Sequence, residues 1–87
     1  MNTDIMESVA NLAALTHRKI EEYDQESSEL YSMYSNCKFA SPTKQDREAI
    51  KSKQEKVEQL HDDVVDCTIM LTAAQEMVHV FDDLVGL

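Results

Sequence analysis

The sequence predicts an all-α fold: two helices folded back on each other as an antiparallel coiled-coil hairpin. Three observations carry this. The 87 residues include one Gly, one Pro and no Trp and are rich in Ala, Leu, Glu, Lys, Gln and Met, whereas a sheet protein needs turn residues at short intervals. Apolar residues recur in alternating steps of three and four along both halves of the chain, the spacing of a helix with one buried stripe. The one cluster of turn signals, "NCKFASPTKQD" at 36–46, falls between those halves.

Helix 1 is expected over about 3–38, the turn over 39–42 and helix 2 over about 43–85, the whole forming one domain. Ser41 or Thr43 can cap helix 2. With Ser41 as cap, Pro42 takes the first helical position, where its missing N–H costs nothing. The residue before a proline avoids the helical region, which ends helix 1. Gly86 can close helix 2 in a left-handed conformation, with Leu87 folding back as the apolar contact of a Schellman-type cap.

The stripe of helix 2 reads Ile50, Lys53, Val57, Leu60, Val64, Cys67, Leu71, Ala74, Val78, Phe81 and Val85, interrupted by Lys53 alone. Helix 1 offers a weaker series: Met6, Val9, Ala13, Thr16, Ile20, Tyr23, Ser27, Leu30, Tyr34 and Cys37. Two such stripes joined by a short turn make a hairpin.

A hairpin uses one stripe per helix, and this chain has more. "VVDCTIMLTAAQEMVHVFDDLVGL", residues 64–87, also carries Val65, Ile69, Met70, Ala73, Met77, Val80 and Leu84, and helix 1 begins with Ile5, Val9 and Leu12 among further apolar residues. An antiparallel hairpin brings these regions to the same end. There they are predicted, together with Phe81, to form an interface, because exposed apolar surface of that extent marks one. Two hairpins meeting as a homodimer would close a four-helix bundle, and a helical hetero-partner would serve equally.

The net charge is -9, which argues against direct nucleic-acid binding, since Lys and Arg neutralising phosphates supply most of that affinity. A basic protein surface is the better match. Lys44, Arg47, Lys51, Lys53 and Lys56 all precede the acidic run of Glu58, Asp62, Asp63, Asp66, Glu76, Asp82 and Asp83. Asp62, Asp63, Asp66, Asp82 and Asp83 are accordingly read as an acidic partner face. Asp82 and Asp83 lie in the last turn of helix 2, where the dipole favours cations, so they call for compensation from the start of helix 1 or from a basic partner.

Cys37 and Cys67 are too few for a secreted disulfide scaffold, and a hairpin holds them too far apart to bridge. They read as small core residues. The start "MNTDIMESV" lacks the basic and apolar regions of a signal peptide. Asp66, Gln75, Glu76 and Asp82 interrupt the longest apolar stretch, so no membrane span is expected. An intracellular, reducing compartment follows.

"HDDVVDC" at 61–67 sets Asp62 with Asp66, and Asp63 with Cys67, one helical turn apart, which is metal-like spacing without a second ligand cluster. "EMVH" at 76–79 matches the Glu-x-x-His pattern of di-iron bundles, but both residues sit at the edge of the stripe. His17 stands alone on helix 1, and Tyr23, Tyr31 and Tyr34 read as packing residues rather than a base-stacking platform. With no phosphate loop or nucleophile elbow, neither an enzyme nor a cofactor is expected.

Four stretches, "ESVANL" at 7–12, "EEYDQ" at 21–25, "DDVVD" at 62–66 and "MVHVFDDL" at 77–84, together resemble the N-terminal helical domain of the inhibitor-of-growth family. The matching positions are Ser8, Asn11, Leu12, Asp24, Gln25, Val64, Val78, Phe81 and Asp82. The resemblance spans most of the chain through loose motifs. The chain departs from the family pattern in a shorter helix 1, in Ala13 where Pro is usual and in Val80 where a basic residue is common, and it has no plant-homeodomain finger. The resemblance implies a dimerising scaffold module that tethers a histone acetyltransferase or deacetylase complex, and hence a nuclear location in place of a cytoplasmic one. A small acidic helical chaperone or inhibitor, such as a secretion chaperone or a phage-encoded inhibitor, is the alternative, and a di-iron enzyme on Glu76 and His79 is a third reading.

Overall fold

The computed structural model describes residues 2–37 and 41–85, with the side chains of 2, 3, 81 and 85 set aside. Two helices make up the fold, α1 (Asn2–Cys37) and α2 (Lys44–Val85). The expected last residue of helix 1, Lys38, the first part of the turn, the Gly86–Leu87 cap and the side chain of Phe81 lie outside the described residues.

Of the two candidate caps for α2, the structure uses Thr43. Its hydroxyl Oγ1 accepts from Asp46 N at 3.1 Å, and Asp46 Oδ2 accepts from Thr43 N at 2.9 Å. This reciprocal capping box satisfies two backbone donors that the first turn would otherwise leave unpaired. Arg47 N then bonds Thr43 O at 3.1 Å to start the helix ladder. Ser41 and Pro42 precede the helix, so Pro42 does not take its first position. The box with Asp46 offers more than Ser41 can, because it pairs side chain and backbone in both directions.

The helices run antiparallel. Cross-helix ion pairs join Glu29 to Lys53, Glu26 to Lys56 and Lys19 to Asp63, so the α2 partner advances as the α1 residue recedes. The result is a rod of 67 × 16 × 14 Å. Its radius of gyration is 19.5 Å, against about 12 Å for a compact domain of this length.

Along α2 the described positions of the expected stripe, Ile50 through Val78, are the ones turned toward α1, with Leu60 and Cys67 buried at 5% and 6% exposure. On α1 the expected stripe holds at Val9, Ala13, Thr16, Tyr23, Ser27, Leu30 and Cys37, and Lys19 and Met33 take the places of Ile20 and Tyr34. Val9, Leu12, Thr16, Lys19, Tyr23, Glu26, Leu30, Met33 and Cys37 make one buried or half-buried series in steps of three and four, with Ala13 and Ser27 half-buried beside it, while Met6, Ile20 and Tyr34 are exposed. Tyr31 is exposed as well, so of the three tyrosines only Tyr23 packs in the hairpin, its ring 5.8 Å from that of His61.

Electrostatics accounts for the inward turn of the two charged residues. Turning Lys19 inward in place of Ile20, and Glu26 beside the half-buried Ser27, lets each charge meet an opposite one. Lys19 Nζ lies 3.6 Å from Asp63 Oδ2. Lys53 Nζ donates to Glu26 Oε2 and to Glu29 Oε2, both at 2.6 Å, and Lys56 Nζ donates to Glu26 Oε1 at 2.9 Å. Glu26 is 14% exposed at its side chain, so water alone would solvate its carboxylate poorly, and the two ammonium groups replace that solvation.

The remaining core is polar and thin. Thr16 is buried at 5% exposure, and its hydroxyl donates to Leu12 O at 2.7 Å. The Ser27 hydroxyl is buried with no hydrogen-bond partner. Among the described residues only Leu60, Cys67 and Thr16 are buried. The hairpin exposes 6777 Å², where a compact monomer of 9.9 kDa exposes about 5,200 Å².

Candidate functional site

Most of the exposed large apolar side chains lie toward the open end, where α1 begins and α2 finishes. Met70, Ala73, Met77, Val80 and Leu84 form a second stripe on α2 in steps of three, four, three and four, all exposed. α1 covers the first apolar stripe of α2 and leaves this second one exposed. Val65 and Ile69 extend the exposed surface around the helix.

Met77, 72% exposed, stands as a ridge between two apolar grooves. The inner groove, of about 380 Å³, lies between the helices and is lined by Asp4, Ile5, Ser8, Val9, Leu12, Ala74 and Met77. The outer groove, of about 500 Å³, runs along α2 between Ala73, Glu76, Met77, Val80 and Leu84. The structure therefore brings Ile5, Val9, Leu12, Ala73, Met77, Val80 and Leu84 to one end. Val9 and Leu12 serve two purposes there, since they also belong to the α1 stripe facing α2. Met70 lies on the same stripe, whereas Val65 and Ile69 sit further round the helix.

The acidic residues do not form one face. Asp62, Asp66, Asp82 and Asp83 are exposed, but Asp63 is half-buried and turned toward α1. Its Oδ1 accepts from Gln59 Nε2 at 3.1 Å, and its Oδ2 is the partner of Lys19. Asp63 thus belongs to the hairpin's own electrostatics. Sequence reading missed the ion cluster of Glu26 and Glu29 with Lys53 and Lys56, in which Glu26, Glu29 and Lys53 have shifted pKa values. Hydrogen bonds from Lys53 and then Lys56 hold the Glu26 carboxyl below its ordinary range, and those from Lys53 and Gln25 do the same for Glu29. Lys53 is correspondingly raised by its two carboxylate partners. The signal was in the sequence: a lone Lys on an apolar stripe calls for acids at the matching height of the other helix.

No group of three or more His, Cys, Asp and Glu converges among the described residues. His61 Nδ1 is 3.8 Å from Asp62 Oδ1 on the exposed surface, and His17 Nε2 is 3.0 Å from Glu21 Oε1 one turn along α1. Glu76 and His79 line a shallow exposed groove with Thr72, Gln75 and Val80. Both cysteines are free thiols, Cys67 buried and Cys37 half-buried beside the turn.

By length and composition, α2 contains one 18-residue window apolar enough to cross a membrane, with mean hydropathy 1.3 and little of it covered by α1. A single helix of this kind is weak support for a span, because a helix that packs against partner helices on two sides has the same composition.

Comparison with known protein families, characterised proteins and solved structures finds no match to this chain.

Proposed function

We propose that this chain is a non-catalytic helical interaction module, whose open end completes a four-helix bundle with helices from a partner. The observation that carries the reading is the second stripe, Met70 to Leu84, lying bare beside the inner groove. A monomer that buries so little has reason to gain stability from association, and apolar surface in register over several turns is what another helix covers. Among the described residues the turn end has its seam, its ion cluster and the exposed Tyr31 and Tyr34, and no second apolar stripe on α2.

The resemblance to the inhibitor-of-growth helical domain gives this module a setting, as a scaffold subunit of a histone acetyltransferase or deacetylase complex. The test is purification of the tagged chain with its bound partners from cells of its source, beside a variant carrying Met70→Lys and Met77→Lys. Stoichiometric helical partners and acetyl-transfer or deacetylase activity on histones with the parent, lost in a variant that keeps its helix content, support the scaffold. Equal recovery of partners by parent and variant sinks the interface.

Exposure of Asp62, Asp66, Asp82 and Asp83 favours a second reading, an acidic chaperone or inhibitor that binds through charge. Replacing Asp62, Asp63 and Asp66 with Asn separates the two. Loss of partner binding supports the acidic reading, and retention supports the apolar scaffold.

A further inference from the structure

We propose that the open-end face receives a basic amphipathic helix, one of the two that a partner protein contributes to the bundle, in preference to a second copy of this chain. The inference rests on the interaction-module reading and specifies its partner. Shape sets the first requirement. The stripe from Met70 to Leu84 spans about 21 Å, or four helical turns, and the Met77 ridge between two grooves suits the ridges and grooves of a single helix laid alongside. Methionines at 70 and 77 provide an adaptable, polarizable contact surface.

Charge selects among helices. Asp66 continues the stripe one step before Met70, Glu76 lines the outer groove and Asp4 lines the inner one. No Lys or Arg occurs before Arg18 or after Lys56, so the face has carboxylates around it and no Lys or Arg on either helix at that level. A second copy would bring the same carboxylates against these, and like charges at an interface oppose association. An anionic lipid surface would be repelled in the same way. A helix with Leu or Met along one side and Lys or Arg on both flanks satisfies the apolar stripe and the carboxylates together.

The probes are two fluorescent peptides of about 18 residues, long enough to cover the stripe. They share a Leu stripe and differ in flanks, Lys and Arg in one and Glu in the other. The full chain is expected to bind the basic peptide at least about tenfold more tightly than the acidic one, a preference that shrinks as salt rises from about 0.05 to about 0.5 M. Val80→Lys should weaken that binding with the circular dichroism spectrum unchanged. Joint replacement of Asp66, Glu76 and Asp4 by Asn, Gln and Asn should remove the preference between the peptides. Equal binding of both peptides, or of neither, overturns the proposal. So does sedimentation of the chain alone as a stable dimer, or its binding to phosphatidylcholine–phosphatidylglycerol vesicles. If the Met70 and Met77 variant loses its cellular partners while neither peptide binds, the module stands and the basic-helix inference falls. If partners are unaffected as well, both fall.

Discussion

Lys53 on α2 places its Nζ 2.6 Å from Oε2 of Glu26 on α1, so the one charge on the α2 stripe meets a charge on the α1 stripe at the same height. The contact fixes which residues of the two helices lie opposite each other. An apolar seam alone specifies register weakly, because sliding one helix by a heptad re-forms similar contacts, whereas a slide that separates Lys53 from Glu26 leaves both charges poorly solvated.

Reversing the charge at position 26 tests this. Glu26→Lys should lower the melting temperature by bringing three ammonium groups together. Adding Lys53→Glu and Lys56→Glu to the same chain should recover much of the loss. Thermal unfolding followed by circular dichroism measures both, and no recovery in the triple variant would show that the cluster does not set the register.

Acid should weaken the hairpin through the same cluster. Folding lowers the pKa of Glu26 and Glu29 from their ordinary value of 4.5. The unfolded chain therefore binds more protons in the interval below 4.5. The contribution of these carboxylates is fully present above that value and is lost as pH falls through the folded-state values. Lys53 is raised from 10.5, so its contribution is present below 10.5 and is lost as pH rises through the folded-state value. Urea denaturation between pH 3 and 7, a range of about four units around the carboxylate titration, should show a shallower acid-side decline for Glu26→Gln than for the parent. Parallel curves would contradict the assignment.

At the head of α2, Thr43→Ala removes one half of the capping box and should cost about 1 kcal/mol. Thr43→Ser should cost little, since its hydroxyl can accept the same bond from Asp46 N. Hydrogen exchange at the first turn of α2 should accelerate in the Ala variant, and unchanged protection would place the cap elsewhere.

The middle of the seam should respond in opposite directions at two positions. Leu60→Ala removes one of the few buried side chains and should cost about 2 to 4 kcal/mol, enough to unfold much of a chain with so little core. Thr16→Val should raise stability by about 1 kcal/mol. The Thr16 hydroxyl donates only to Leu12 O within its own helix, and its loss leaves no new donor unpaired. Denaturant midpoints decide both, and a destabilised Val variant would mean that the hydroxyl has a further role.

The rotation of α1 is tested by Ile20→Glu and Met33→Glu. Ile20 is exposed and Met33 half-buried toward α2, so the first change should be tolerated and the second should lower the melting temperature clearly. The reverse ranking would restore the stripe through Ile20 and Tyr34.

Much of the architecture is legible in the residues. The scarcity of Gly and Pro, the turn signals around Pro42 and the stripe from Ile50 to Val78 determine two helices, their hairpin and the face α2 gives to α1, because hydrophobic spacing and backbone chemistry are local properties. The second stripe on α2 is legible for the same reason, as surplus apolar residues that one partner helix cannot cover. The face α1 presents was decided only in the tertiary structure. Hydrophobicity favours Ile20 over Lys19, and one helix considered alone gives no reason to turn Lys19 or Glu26 toward the seam. The preference arises where Asp63, Lys53 and Lys56 arrive from the other helix, since a charge can face a seam only when its counter-charge stands opposite it. The same holds for the cap, where Asp46 favours Thr43 over Ser41, and for Asp63, acidic in the sequence but committed within the fold to Lys19.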